Sequence, residues 1–196
     1  MTEMKELIAH TRSVRRFREE ERISPETLTE LLELARLTGS HRNGQELRFL
    51  PVWQAEQCAA VFQWASFAAA LGPAGRPEEG QRPAAYIALL GESREPDFLW
   101  VDAGLACQSM LLGATERGLA GCILGGLNRE KLRPLLGLSE SDPPLLLLLA
   151  LGYPAEEVIL EEAGEGPDRR KYRREGSRHY VPKLPLSELV LERQPR

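Results

Sequence analysis

Apolar residues in this chain change period from one segment to the next, and each change predicts an element. Met4, Leu7 and Ile8 fall on one side of a helix over residues 2–10. In "ISPETLTELLELARLTG", Leu28, Leu31, Leu32 and Ala35 recur at helical spacing. Ser24 is a natural N-cap there, Pro25 suits the first helical position and Gly39 is a candidate stop. "RFLPVW" (48–53) reads as a strand, and Pro51 assigns it to an edge or a bulge. The spacing in "QCAAVFQWASFAAALG" (57–72) predicts a helix, followed by a glycine- and proline-rich loop over 72–83. "AAYIALLG" (84–91) reads as a strand. "DFLWVDAGLACQSMLLGATERGL" (97–119) reads as a long, closely packed helix. "AGCILGG" (120–126) is a strand running into a glycine pair, and "NREKLRPLLGL" (128–138) is a short helix begun by Asn128. "LLLLLALG" from Leu145 is bounded by Pro143-Pro144 and by Gly152-Tyr153-Pro154, so it reads as a buried strand. Residues 161–178 are charged and glycine-bearing, as in an exposed arm or loop, and "VPKLPLSELV" (181–190) closes the pattern.

Helices alternate with strands, which predicts a sheet covered by helices. The length of 196 residues suits one large domain, and no internal repeat or composition break divides it. Charge narrows the function classes. With 29 acidic and 25 basic side chains the formal net charge is -4, against the basic balance of a general nucleic-acid binder. No N-terminal stretch has the form of a signal peptide and no unbroken apolar run reaches membrane-span length, so no membrane partner and a cytoplasmic location are expected. Cys58, Cys107 and Cys122 are odd in number and lack CxxC spacing, as expected for reduced thiols in or near the core. His10, His41 and His179 form no metal-binding spacing, and no metal site is expected.

Three short stretches carry candidate chemistry. "TRSVRRF" (11–17) puts three arginines beside a hydroxyl. In extended backbone Ser13 and Arg15 point the same way and Arg12 flanks them. One hydroxyl and two guanidinium forks equip the segment to bind a phosphate. The alternative is a solvated basic turn paired with Glu19–Glu21. In "SHRNGQELRF" (40–49), Asn43 and Gln45 again stand two apart, and their carboxamides suit the polar edge of a heterocycle. Gly125 and Gly126 would let backbone N–H groups approach a flat ligand.

In this order the motifs resemble the nitroreductase family, the FMN-dependent oxidoreductases. Arg12-Ser13-Val14-Arg15-Arg16-Phe17 is similar to that family's R-S-x-R-x-F stretch. "GSHRNGQEL" is similar to its N-x-Q segment, and "DAGLACQSMLLGATERGLAG" (102–121) to its D-x-G-x-A-x-Q helix. "CILGGLNREKLRPLLGL" resembles its flavin-contacting turn, "LLALGYP" (148–154) a strand end, and "RHYVPKLPLSELV" the tail of a short-chain branch. The resemblance implies an α+β fold over residues 1–196 as a single domain, a three-layer sandwich with a mixed central β-sheet flanked by helices. It implies a homodimer with FMN at the subunit interface. It also implies transfer of reducing equivalents from NADH or NADPH to a small organic acceptor (nitroaromatic, quinone or enone) by a ping-pong mechanism. By position, Arg12, Ser13 and Arg15 would hold the FMN phosphate and ribityl chain. Asn43 and Gln45 would contact the isoalloxazine ring, the backbone of Ile123, Leu124, Gly125 and Gly126 would lie along it, and Lys183 would close the phosphate site from the tail. The cofactor carries the reaction, so no dedicated acid–base residue is expected.

The chain departs from the family pattern in two places. Gly39 stands where proline is common, and Glu46-Leu47 stands where Pro-Trp is common. Glu46 is expected to face solvent or to pair with Arg48, and the 72–83 loop is the expected place for a lid. "DRRKYRREGSR" (168–178) is expected to be a solvated arm crossing to the other subunit. Two further readings remain: a non-catalytic flavin-binding module on the same fold, and a binder of nucleic acid or acidic protein. The net charge and the Asn43, Gln45 and Gly125-Gly126 match disfavour the second.

Overall fold

The computed structural model describes residues 3–191. These form two compact units, one up to Ala155 and one from Glu156 onward. In the first unit the elements are α1 (Met4–His10), α2 (Pro25–Leu37), a 3-10 turn (His41–Asn43), β1 (Leu47–Val52), α3 (Ala55–Phe62), a 3-10 segment (Ala69–Gly75), β2 (Ala85–Gly91), α4 (Pro96–Glu116), β3 (Ala120–Leu124), α5 (Arg129–Leu135) and β4 (Leu145–Gly152). Residue 2 of the expected first helix lies outside the described residues.

The four strands of the first unit form one sheet in the order β1-β2-β4-β3, with neighbours antiparallel. β2 is buried at every residue, and its side chains divide by parity. Ile87 and Leu89 join Leu149 and Leu151 under α2 and α4. Tyr86, Ala88 and Leu90 join Leu148 and Ala150 under α3 and α5. Helices therefore cover both faces, as expected for a three-layer α+β sandwich. Both central strands read as unbroken apolar runs because neither face meets water. Pro51 sits in β1, an edge strand, where its missing N–H breaks no ladder.

α2 begins as expected: the Ser24 hydroxyl accepts from the Thr27 amide at 3.2 Å and Pro25 follows, a cap contributing about 1 kcal/mol. Its end differs. The helix stops at Leu37, and Thr38, not Gly39, makes the closing contacts, with its hydroxyl 2.8 Å from the Leu34 carbonyl and 2.7 Å from the Ser109 hydroxyl. The helix expected over 57–72 is shorter, ending at Phe62. Arg76 donates to the Phe62 and Ala65 carbonyls at 3.0 and 3.2 Å, so a side chain from the following loop satisfies carbonyls that a longer helix would have used. α4 is long and apolar enough to cross a membrane by length and composition, and half of that stretch is buried inside the protein. All three cysteines are free and buried, as expected. Burial pushes the Cys58 thiol up to about 11, partly offset by Arg22, and the Cys107 thiol up to about 12.

In the second unit, residues 163–172 form an exposed loop, as expected within 161–178, and strands flank it. The unit contains β5 (Glu157–Glu162), β6 (Arg173–Glu175), β7 (Arg178–Lys183) and a last turn α6 (Leu186–Leu189). β7 lies between β5, to which it is parallel, and β6, to which it is antiparallel. Its basic residues meet acids of the same unit: Arg169 with Glu188, Arg173 with Glu161, and Arg178 with Glu157. Arg174 and Glu156 form a buried pair at 2.5 Å beside His179, itself 2% exposed. This internal pairing is what a charge run looks like when it folds on its own acids.

Candidate functional site

The arginine segment runs beside β3 and joins it through one isolated bridge, with a tight turn at Ser13 where the Val14 amide also donates to the Arg12 carbonyl at 2.8 Å. Ser13 bridges Gly121 in parallel, and the Val14 amide donates to the Gly121 carbonyl at 3.0 Å. Val14 and Phe17 turn inward, 5% and 0% exposed, and leave Ser13 facing out. The close approach depends on two glycines. A Cβ on Gly121 would lie 2.5 Å from the Ala150 carbonyl oxygen, and one on Gly152 would lie 2.7 Å from the Phe17 ring. Upstream, the Thr11 hydroxyl sits 2.7 Å from the Leu7 carbonyl and 3.0 Å from the Thr115 hydroxyl at the end of α4. Downstream, the Phe17 amide donates to Gln81 and the Arg18 amide to Tyr153.

In this segment Arg15 folds back over Ser13, its guanidinium donating to the Ser13 carbonyl at 3.3 Å. The Nε of Arg12 is buried and has no acceptor among the described residues. A buried N–H without an acceptor is unfavourable by about 1–3 kcal/mol, and a phosphate oxygen is the acceptor that this group of donors fits.

β3 runs from Gly121 to Leu124 and the chain goes on to the glycine pair, a span of at most about 16 Å between Gly121 and Gly126. Ile123 is 39% exposed, whereas the Leu124 side chain is in the core, so Leu124 offers only backbone to a ligand. Gly126 is fixed by a neighbouring strap. Its carbonyl accepts the Ser66 amide at 2.8 Å, Ala65 bridges Leu127, and the Asn128 amide donates to the Trp64 carbonyl. At Gly125 an added Cβ would meet only Leu147, at 3.7 Å. The protein's own packing does not require glycine there, and a flat ligand laid against the turn would. Trp64, 37% exposed, stands at this corner with the Lys131 ammonium 5.7 Å from its ring. Phe67 is in the core, while Trp53 and Trp64 are both more than a third exposed.

Asn43 and Gln45 lie elsewhere. They sit just before β1, on the opposite edge of the sheet from β3, three strand spacings or about 14 Å away. Relative to α4, Thr11 is beside Thr115 while His41 is beside Asp102, a separation of about 20 Å along the helix. The loop has unusual backbone: Arg42, Asn43 and Gln45 have φ of 50°, 56° and 50°. Left-handed non-glycine residues are strained by roughly 1–3 kcal/mol each and cluster at functional positions. α4 supplies the restraint. The buried Asp102 carboxylate accepts the His41 amide at 2.9 Å, and Phe98 stacks on the His41 ring at 3.8 Å. Glu95 takes His41 Nε2 at 2.6 Å and Arg42 at 3.1 Å. Within the loop, the Gln45 side chain donates to the Asn43 carbonyl at 3.3 Å. Gln45, Glu46 and Asp102 also line a cavity of about 270 Å³ with apolar walls from Leu32, Leu47 and Phe49. Arg48 donates to the Gln45 and Leu47 carbonyls and makes no ion pair with Glu46.

The sequence profile of the Nitroreductase family matches residues 8–153. The chain belongs to the Nitroreductase family. Among its relatives is the Bacillus subtilis (strain 168) protein YodC, whose name describes an NAD(P)H nitroreductase. It is 26% identical over 179 residues, covering 76% of this chain and 88% of YodC. A Desulfovibrio desulfuricans nitroreductase-type protein, solved in complex with FMN, superposes with a TM-score of 0.70 over all of this chain and 99% of its own, at 23% identity. An Exiguobacterium sibiricum counterpart, also solved with FMN, gives 0.69 over 98% of each chain at 19% identity. These likenesses establish the nitroreductase fold.

In this nitroreductase-family chain, then, Arg12, Ser13 and Arg15 share one sheet edge with Ile123 to Gly126, and Asn43 and Gln45 share another. Lys183 ends β7 in the second unit, opposite Glu162. The loop expected to serve as a lid is tied down: Glu19 accepts the Gly80 and Arg82 amides at 2.8 and 3.1 Å. Sequence reasoning missed the Trp64–Ser66 strap on the glycine turn and the clamp that Glu95, Phe98 and Asp102 place on the loop. Neither has a spacing signal, because each joins segments more than fifty residues apart.

Proposed function

We propose that this protein is an FMN-dependent oxidoreductase that takes reducing equivalents from NADH or NADPH and passes them to a small organic acceptor. The reading rests chiefly on the β3 edge, where a buried Arg12 Nε lacking an acceptor and the open Gly125 turn stand at the two ends of one strand. A phosphate at Arg12, Ser13 and Arg15 and a flat ring against Gly125-Gly126 fit that length. Lys183 is the basic group proposed from the tail. When bound, FMN supplies the redox chemistry, alternating between nicotinamide and acceptor in a ping-pong cycle. The chain's residues bind and orient it. Guanidinium groups neutralise the phosphate, and backbone N–H groups at the glycine turn favour negative charge on the ring.

The same reading requires two copies of the chain. Asn43 and Gln45 cannot reach a ring on the β3 edge of their own sheet, so they belong to the site of a partner. α4 carries an exposed apolar face with Val101 and Leu105 at 54% and 46% exposure, and Met4 and Ile8 of α1 are exposed as well. A homodimer that covers α4 would bury this face and complete both sites. "Nitroaromatic, quinone or enone" is the acceptor class proposed, and the protein is proposed to work in the cytoplasm.

The test is a visible spectrum of the purified protein with FMN, followed by anaerobic NADH or NADPH. A bound flavin spectrum that bleaches supports the reading. A bound flavin that stays oxidised with both nucleotides favours a non-catalytic flavin-binding module, and no flavin bound by the folded protein defeats the reading.

A further inference from the structure

Glu95, Phe98 and Asp102 stand at positions i, i+3 and i+7 on the first turns of α4, and all three contact the His41–Gln45 loop. Glu95 and Phe98 act at the partly exposed rim. Asp102 is 5% exposed, and among the described residues no Lys, Arg or His side chain forms an ion pair with it. A nearly buried carboxylate without a cation, on a cavity wall shared with the apolar Leu32, Leu47 and Ala106, is an unfavourable arrangement unless it is used. Among the described residues the Asp102 carboxylate accepts from the His41 amide, at the start of the turn that leads into the left-handed residues. The next residues, Arg42 and Asn43, are left-handed, and so is Gln45.

We propose that Asp102 is the positioning residue of this loop: by accepting the His41 amide it holds Asn43 and Gln45 in their left-handed backbone, and so presents their side chains to the flavin ring. The second half of that statement rests on the proposed flavin function, and the first does not. Positions 43, 44 and 45 donate within the loop, to the Ser40 carbonyl, the His41 carbonyl and the Ser40 hydroxyl. Their exchange with solvent deuterium therefore reports loop order without any cofactor.

Hydrogen exchange is measured on the flavin-free protein, and FMN affinity separately, for Asp102→Asn and Asp102→Leu. The asparagine keeps an oxygen acceptor and leaves both quantities near wild type. The leucine keeps the branched outline, with its larger methyl groups facing the adjoining cavity, and loses the acceptor. It speeds exchange of the 43–45 amides and weakens FMN binding, each by about tenfold, the scale of one hydrogen bond, while the amides of α2 keep their protection. If Asp102→Leu does not fold, a surface pair decides. Ser40 has φ -131° and ψ 156°, which suits the residue before a proline. His41→Pro removes the amide donor, and His41→Ala keeps it while removing the ring. Faster exchange in the proline variant than in the alanine variant supports the proposal, and equal exchange in the two overturns it. Wild-type exchange in Asp102→Leu overturns it, and so does an asparagine variant as loose as the leucine one. If wild type binds no FMN while the exchange difference persists, the flavin reading fails and the positioning role stands.

Discussion

The Val14 amide donates to the Gly121 carbonyl at 3.0 Å, and this bond fixes the arginine segment to the open edge of β3. It sets the Ser13 bridge against Gly121, with Arg12 and Arg15 on either side of that bridge. Replacing either by alanine should weaken FMN binding about 10- to 100-fold, as expected for a hydrogen bond to a charged group, with little change in melting temperature. Fluorescence titration of FMN checks this, and wild-type affinity in both variants would remove the phosphate assignment.

Two kinds of glycine should behave differently. Gly152→Ala puts a methyl against the Phe17 ring and should destabilise the fold by about 1–3 kcal/mol. Gly125→Ala finds room and should leave stability nearly unchanged while weakening FMN. Denaturant unfolding and flavin titration on both variants give the comparison. An equal loss of stability in the two would show that Gly125 is structural.

Asn43 offers a cleaner test as glycine than as alanine, because its φ of 56° suits glycine. Asn43→Gly should keep the loop and lose only the carboxamide. The expected outcome is weaker flavin binding and an altered rate of flavin reduction, with an unchanged circular dichroism spectrum. Stopped-flow reduction kinetics and affinity that both match wild type would mean the side chain does not touch the ring.

The thiols give a prediction independent of function. Cys58 and Cys107 are held protonated by burial, at about 11 and about 12 against an ordinary value of 9.0. A folded-state pKa raised in this way contributes stability that is complete below pH 9. The Cys58 contribution fades as pH rises through about 11, and the Cys107 contribution through about 12. At pH 8 the folded protein should leave both thiols unmodified by iodoacetamide, and both should react in denaturant. Mass spectrometry after a timed pulse reads this directly, and rapid modification of either thiol in the folded protein would contradict the burial account.

Much of the first unit was legible in sequence, for identifiable reasons. β2 and β4 are apolar throughout because both faces are covered, and α2 and α5 carry their capping residues, Ser24 and Asn128, in the expected places. The short form of α3 was not legible, since its end depends on Arg76 reaching back to the Phe62 and Ala65 carbonyls. The sheet of the second unit was hidden for a different reason. Its strands are built on opposed charges, such as Arg173 with Glu161, where an alternating apolar pattern would have announced them. At the candidate site, the spacing of two in Ser13–Arg15 carried real information because Arg15 folds back over Ser13. The same spacing in Asn43–Gln45 reflects left-handed turns held by a distant helix.

The central claim is that one flavin site draws Arg12 and Arg15 from one copy of the chain and Asn43 from another. Subunit complementation tests it most directly. A variant carrying Arg12→Ala and Arg15→Ala is unfolded and refolded together with Asn43→Gly, and bound FMN is measured against each variant alone. The account predicts that each variant alone binds weakly and that the mixture recovers part of the wild-type binding, because a mixed dimer holds one site with every residue intact. A mixture that binds only as well as the average of its components would contradict it and place both sets of residues on a single chain's site.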